Sequence, residues 1–117
     1  MAVDLSNLNS IDGFVGAALV DSSSGMAMGQ EGGGPVDLDV AAAGNTEVIQ
    51  AKRRVAGALK LKDTIEDLLI TLGKQYHLIR PLADKQDLFL YLVLDRTKAN
   101  LGMARHQLKE FEGEVAI

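Results

Sequence analysis

The sequence of 117 residues contains no cysteine and only two histidines. The lack of cysteine excludes disulfide bonds, thiolate catalysis and cysteine-based zinc sites. No apolar run approaches the ~18 residues that a membrane-spanning helix needs. The N-terminus also lacks the basic stretch followed by an apolar one that marks a signal peptide. We therefore expect a soluble, cytoplasmic protein.

Charge and composition narrow the class of protein further. The net charge is −4, so neither a nucleic-acid backbone nor an anionic membrane is an expected partner. Hydrophobic residues make up 47% of the chain and charged residues 24%, which is ordinary for a globular protein. At this length the sequence predicts one domain, residues 1–117, with a core of its own.

The most informative stretch is Leu88–Leu94, seven consecutive apolar residues between polar neighbours. A strand with one wet face would alternate polar and apolar residues, and this run does not. A buried helix is the other interpretation, but the Phe, Tyr and Val content and the short length favour a strand. We predict a strand near the middle of a sheet that is covered on both faces.

A second apolar run, Phe14–Val20, has the same character and predicts a second central strand, adjacent to the first. Leu5, Leu8 and Ile11 predict a short helix before it. After a turn at residues 21–25, Met26–Met28 predicts a short edge strand, and Gln30–Pro35 a flexible break.

A long helix is predicted from about Asp37 to about Lys60. One side carries a continuous stripe of small residues, which lets the backbone approach closely whatever it packs against. A second apolar sector broadens this surface, so we expect the helix to touch both its own sheet and a partner. The stripe comprises Ala41, Gly44, Val48, Ala51, Val55 and Ala58, and the second sector Leu38, Ala42, Ile49, Ala56 and Leu59.

The remaining elements complete an α+β domain. Asp63–Thr71 and Gln75–Leu82 predict two strands, and Thr97–Phe111 predicts a final helix capped by Asp95 or Thr97. The order is helix, strand, strand, helix, three strands, helix. We expect a five-stranded, mostly antiparallel sheet between helices, in three layers.

No catalytic or nucleotide-binding motif is complete. Gly73-Lys74 is followed by Gln75 rather than Ser or Thr, so it predicts a hairpin turn and no Walker loop. The glycines Gly32–Gly34 precede a helix and could cradle a phosphate. Without a buried strand directly before them or an anchoring lysine, a plain linker is favoured.

The two histidines and the serine cluster do not form a site either. His106 and Glu110 lie four apart on the last helix, but two ligands do not close a metal site, and solvated side chains are favoured. His77 could be a satisfied interior histidine or a surface one. Ser22–Ser24 lies on a turn with no histidine nearby in sequence and no nucleophile elbow. We therefore predict a protein that is not an enzyme and has no metal or cofactor.

Lys52, Arg53 and Arg54 form a local basic cluster in an acidic chain. The simpler interpretation is a solvated helix face. The more specific one is a docking site for an acidic partner surface, because the charge asymmetry is local.

The sequence resembles the Roadblock family, the dynein light-chain and GTPase-regulator modules related to longins and profilins. The resemblance rests on Ile11–Asp21, the hairpin glycine Gly25, and Leu90–Arg105, in which Asn100-Leu101-Gly102 is the most family-like triplet. It implies a homodimer in which the strand Asp63–Thr71 pairs with its copy and the long helices pack side by side.

The interface expected from this resemblance contains Val48, Ala51, Val55, Ala58, Ile65, Leu68, Leu69 and Ile70. The resemblance also implies a Ras-like small GTPase as partner, for which the module acts as a regulator or scaffold. The alternative is a small-molecule sensor of profilin-like or PAS-like architecture, which would need a cavity with convergent polar groups.

Overall fold

The structure, a computed structural model, describes residues 3–115. Its element order confirms the predicted one, and the α+β class is confirmed with it. The elements are a 3-10 helix Ser6–Ser10, β1 Phe14–Asp21, β2 Met26–Gly32, α1 Leu38–Ala58, β3 Leu68–Thr71, β4 Gln75–Pro81, β5 Leu88–Asp95 and α2 Leu101–Glu112.

The five strands form one antiparallel sheet in the order β2-β1-β5-β4-β3. The strand β5 lies at the centre and pairs with β1 on one side and β4 on the other. The prediction that the two most apolar strands are central neighbours is therefore confirmed. The strands β2 and β3 form the two edges of the sheet.

All seven residues of Leu88–Leu94 are buried, as the missing polar alternation predicts. Successive side chains of a strand point to opposite faces, so the run divides between two cores. Leu88, Leu90, Leu92 and Leu94 contribute to one core cluster, and Phe89, Tyr91 and Val93 to the other.

Helices cover the two faces of the sheet unequally. The first face packs against the 3-10 helix and α2, which contribute Leu5, Leu8, Ala104, Leu108 and Phe111. The second face packs against α1, which runs over β1 and β2 and buries Leu38, Ala42, Thr46 and Ile49. This arrangement confirms the three layers. On the second face, Ile79 of β4 is fully buried, whereas Leu68 and Ile70 of β3 and His77 of β4 are only partly buried.

The boundaries of two strands differ from the sequence-based expectation, as does the start of the last helix, which is described in the next paragraph. The strand β2 runs on to Gly32, beyond Met28, because residues 29–32 still pair with β1. The strand β3 begins at Leu68 rather than Asp63, since only Leu68–Thr71 has partners on β4.

The last helix begins at Leu101 rather than Thr97. Asn100 is the N-cap, and its side chain accepts a hydrogen bond from the Met103 N–H. The predicted caps are therefore wrong. Asp95 instead accepts hydrogen bonds from the Thr97 hydroxyl and N–H in the preceding turn, and these bonds lower the pKa of its carboxyl.

The glycine-rich segment after β2 is tightly packed. Gly32, Gly33 and Gly34 all have positive φ, which side-chain-bearing residues rarely adopt. A Cβ on Gly16 of β1 would lie 2.7 Å from the Gly33 backbone. These two backbone segments therefore approach each other more closely than any residue with a side chain at position 16 allows. The predicted flexible break is thus a structured crossing from β2 to α1.

A buried ion pair attaches the end of α2 to the sheet. The Arg80 guanidinium on β4 donates to Glu112 Oε1 at 2.8 Å, and the Ala83 N–H donates to Glu112 Oε2. Both ionised side chains are largely buried, so removal of one would leave an uncompensated charge.

Replacement of Leu90 or Leu92 by Ala should lower the free energy of unfolding by about 2–5 kcal/mol, because each leaves a cavity in the core. Chemical denaturation measures this change. Met103→Ala is the control, since Met103 on α2 is 53% exposed and surface truncations stay within about 0.5 kcal/mol. An unchanged denaturation midpoint for both leucine variants would contradict a core position.

Candidate interaction surface

The outer side of α1 is apolar, although it faces away from the sheet. Val48 is 41% exposed and Val55 48% exposed, and Leu59 just after the helix is exposed as well. Gly44 and Ala58 lie on the same side, also exposed, and add no polar group. Ala41, the first residue of the predicted stripe, instead packs against the core on the sheet side. The outward part of the stripe is therefore Gly44, Val48, Val55 and Ala58, and the described chain places no partner on it.

The part of the second sheet face around β3 is also apolar, and its partly buried residues are called the open half-face below. Ile65, Leu68 and Ile70 pack against the core on the α1 side, yet all three remain only partly buried. Leu69, which was expected in the same interface, packs against the opposite core with the α2 side of the sheet. Alternation along β3 explains the separation, because Leu69 lies between two residues of the other face.

The strand β3 supplies an edge next to this open half-face. It pairs with β4 on one side, and the described chain places no strand on its other side. The outward N–H and C=O groups of such an edge can pair with another strand. The apolar stripe of α1, the open half-face and the β3 edge are called the α1–β3 surface below.

A row of hydrogen-bonded polar side chains crosses the open half-face. Nε2 of His77 lies 2.9 Å from Gln75 Oε1, and Nδ1 lies 3.0 Å from the Tyr91 hydroxyl. The ring of His77 also meets the Tyr91 ring edge-on, with centroids 5.5 Å apart. Asn45 of α1, whose side-chain amide donates to the Ala41 carbonyl, lies close enough to the Tyr91 hydroxyl to affect its pKa.

Burial shifts the titration of both rings. It lowers the pKa of His77 and raises the pKa of Tyr91, in each case favouring the neutral form. Of the two interpretations left open for His77, the structure supports a partly buried histidine whose ring nitrogens are both hydrogen-bonded. Its link to Tyr91 could not be found from sequence, since it requires the β4–β5 register.

The basic cluster on α1 does not form one face. Three consecutive helical residues point about 100° apart, so Lys52, Arg53 and Arg54 point in three directions. The Arg53 guanidinium donates a hydrogen bond to the Gln86 carbonyl in the loop before β5. Lys52 and Arg54 are exposed and remain candidates for docking.

The other candidate sites have structural roles. Asp37 caps α1 by accepting hydrogen bonds from the N–H groups of Asp39 and Val40, so a carboxylate stands where a phosphate would bind. Ser22 is buried and donates its hydroxyl to the Asp87 carbonyl. His106 pairs with Glu110 on the exposed side of α2.

The described residues include neither a cluster of metal ligands nor a membrane-spanning helix. Within residues 3–115, His, Asp and Glu side chains form no group of three or more that could hold a metal ion. None of the helices in this range has the length and hydrophobicity that crossing a bilayer requires.

Solved structures resemble this chain closely in fold. A Roadblock/LC7 domain from Streptomyces avermitilis superposes with a TM-score of 0.81 at 13% identity, over 93% of this chain and 88% of that one. The chain has the Roadblock fold. MglB from Myxococcus xanthus, of the same fold, has a TM-score of 0.77 at 16% identity, over 93% of this chain and 76% of that one.

A third Roadblock-fold structure, described as MglB with a tetrameric arrangement, is 20% identical with a TM-score of 0.71, over 94% of this chain and 85% of that one. No protein-family model and no curated protein matches the sequence. The likeness is therefore one of structure.

Arg53→Met should lower the free energy of unfolding by about 1 kcal/mol, because it removes a charged hydrogen bond between α1 and the loop before β5. Lys52→Met and Arg54→Met, matched changes on the same turn, should stay within about 0.5 kcal/mol. Urea denaturation of the three variants checks this. Equal effects at all three positions would show that the Arg53 contact contributes nothing specific.

Proposed function

We propose that this protein is a non-enzymatic, homodimeric interaction module that regulates or scaffolds a Ras-like small GTPase. The observation that carries the proposal is the α1–β3 surface, which combines an exposed apolar helix stripe, a partly buried apolar sheet face and an unpaired edge. Large exposed apolar patches mark protein–protein interfaces.

A second copy of the chain is the occupant that suits this surface best. Pairing of β3 with its copy in a two-fold arrangement continues the sheet and satisfies the edge groups of both copies at once. The same symmetry brings two α1 stripes to one side of the joined sheet. The glycine and alanines of the stripe let two helix backbones approach closely, and its valines supply apolar contact.

The Roadblock fold supports a regulatory role. The resemblance to GTPase-regulator modules leads to a Ras-like GTPase as the partner, with the dimer acting on it. Phosphoryl transfer needs a phosphate-binding loop and a metal site, and the sequence has no Walker motif. An effect on hydrolysis would therefore come from holding the switch loops of the GTPase in a productive arrangement.

A small-molecule sensor is less well supported. Two clefts, of about 620 and 410 Å³, are open grooves at the surface. In the described chain, every buried side-chain nitrogen or oxygen has a hydrogen-bond partner. No buried polar group is thus left over to recognise a ligand.

Val48→Asp or Val55→Asp should convert the dimer to a monomer, because each places an unpaired carboxylate in an apolar contact. Light scattering at micromolar concentration measures the mass. The matched control is Met103→Asp, the same kind of change at an exposed position on α2, which should remain dimeric. A monomer mass for the unmodified protein would contradict the proposed dimer.

The unmodified protein should bind a Ras-like GTPase of its source organism in at least one nucleotide state and release no phosphate from GTP alone. Surface binding against each GTPase, loaded with GTP or GDP, tests this. The double variant Lys52→Glu/Arg54→Glu should associate more slowly, and high salt should slow the unmodified protein in the same way. Arg53 is left unchanged because it contacts the protein's own loop.

Two results would contradict the GTPase assignment. One is a failure of every GTPase to bind in either nucleotide state. The other is a small metabolite that raises the melting temperature in a dose-dependent way, which would favour the sensor.

A further inference from the structure

His77 lies on the part of the sheet that the proposed dimer covers. In the register of the sheet, it stands opposite Ile70 of the edge strand β3 and opposite Val93 of β5. Directly opposed residues share a face, so a partner that packs on Ile70 lies next to the imidazole. The inference below therefore rests on the proposed dimer.

The hydrogen bonds of His77 suit the neutral ring. Gln75 Oε1 accepts from Nε2–H, so the lone pair of Nδ1 is free to accept from the Tyr91 hydroxyl. A second proton would go to Nδ1. It would remove this acceptor, and the Tyr91 hydroxyl would have to turn its own hydrogen away.

We infer that His77 makes the dimer sensitive to pH: the partner subunit covers the neutral imidazole, and uptake of a proton from solvent at Nδ1 weakens the association. The proton adds a positive charge beside apolar Ile70 and Val93 and the neutral side chains of Gln75 and Tyr91. A buried charge without a counter-charge disfavours the state that buries it.

The groups that face His77 provide no such counter-charge. Gln75 and Ile79 lie beside it along β4, and β5 presents Tyr91 and Val93. Helix α1 contributes Asn45 through Tyr91.

Lys52 follows Asn45 by two turns of α1, on the same side of the helix, and it is positive. Burial is the cause that lowers the pKa of His77 in the single chain, with no charge contributing. Cover by a partner should lower that pKa further.

The direction of the pH effect follows by linkage. Above the ordinary histidine pKa of about 6.5, both the free chain and the dimer hold His77 neutral, and the dimer has its full strength. As the pH falls, the free chain takes up the proton before the dimer does, so the dissociation constant rises. Between the His77 pKa of the free chain and that of the dimer, each of the two copies can raise the dissociation constant by up to about tenfold for every unit by which the pH falls.

Sedimentation of the full chain at pH 7.5 and pH 5.5 tests the inference. The dissociation constant of the unmodified dimer should rise several-fold at the lower pH, because the free chain takes up the proton below its lowered histidine pKa. His77→Gln retains a hydrogen-bonding side chain that does not titrate, and its dissociation constant should change little. His106→Gln removes the other histidine, exposed on α2, and should respond as the unmodified protein does.

A dissociation constant that is equal at both pH values, or a full response that persists in His77→Gln, would overturn the inference and leave the dimer intact. A monomer at both pH values would overturn the proposed dimer as well. If His77→Gln does not fold, an NMR titration of the unmodified protein decides instead. The pKa of His77 should be lower in concentrated than in dilute protein, and an identical pKa would overturn the inference.

Discussion

Burial of β5 on both faces is the constraint from which the rest of the arrangement follows. Its apolar residues alternate between two cores, so the sheet needs a layer of helix on each side. A five-stranded sheet is about 20 Å across and a helix about 10 Å in diameter, so one helix cannot cover a face. The 3-10 helix and α2 share the first face, whereas α1 alone covers the second.

This unequal cover explains why the candidate surface lies where it does. On the second face, Leu68 and Ile70 of the edge strand β3 are only half covered, whereas Ile79 of the neighbouring strand β4 is fully buried. The free edge of β3 adjoins this gap, and the exposed stripe of α1 lies on the same side of the sheet. A second copy, placed by a two-fold axis, would complete the layer that one chain lacks. His77 and its hydrogen-bonded polar neighbours lie in this partly covered region. The protonation of His77 and the proposed dimerisation of the protein are therefore linked.

Apolar patterning alone predicted much of the fold. The uninterrupted runs Leu88–Leu94 and Phe14–Val20 predicted two adjacent central strands because burial on both faces removes the polar alternation. The ends of the helices and strands were harder to predict from the sequence. Asn100 caps α2 in competition with Asp95 and Thr97, which are equally good caps in sequence, and only the turn geometry decides between them.

The candidate surface could be predicted only in part. The two apolar sectors of α1 indicated a helix with two neighbours, and the exposure of Val48 and Val55 agrees with that interpretation. The hydrogen bond between His77 and Tyr91 joins residues on two strands and depends on their register. The contact of Arg53 with Gln86 likewise depends on where a loop passes the helix, which no periodicity encodes.

Hydrogen exchange at the two sheet edges tests the central claim most directly. Within residues 3–115, β3 and β2 each have no strand on their outer side, so in a single chain the outward amides of both should exchange rapidly. The account predicts that the outward amides of Leu68–Thr71 become protected as the concentration rises through the dissociation constant, while those of Met26–Gly32 stay unprotected. Rapid exchange of the β3 amides at concentrations where the protein is fully associated would contradict it.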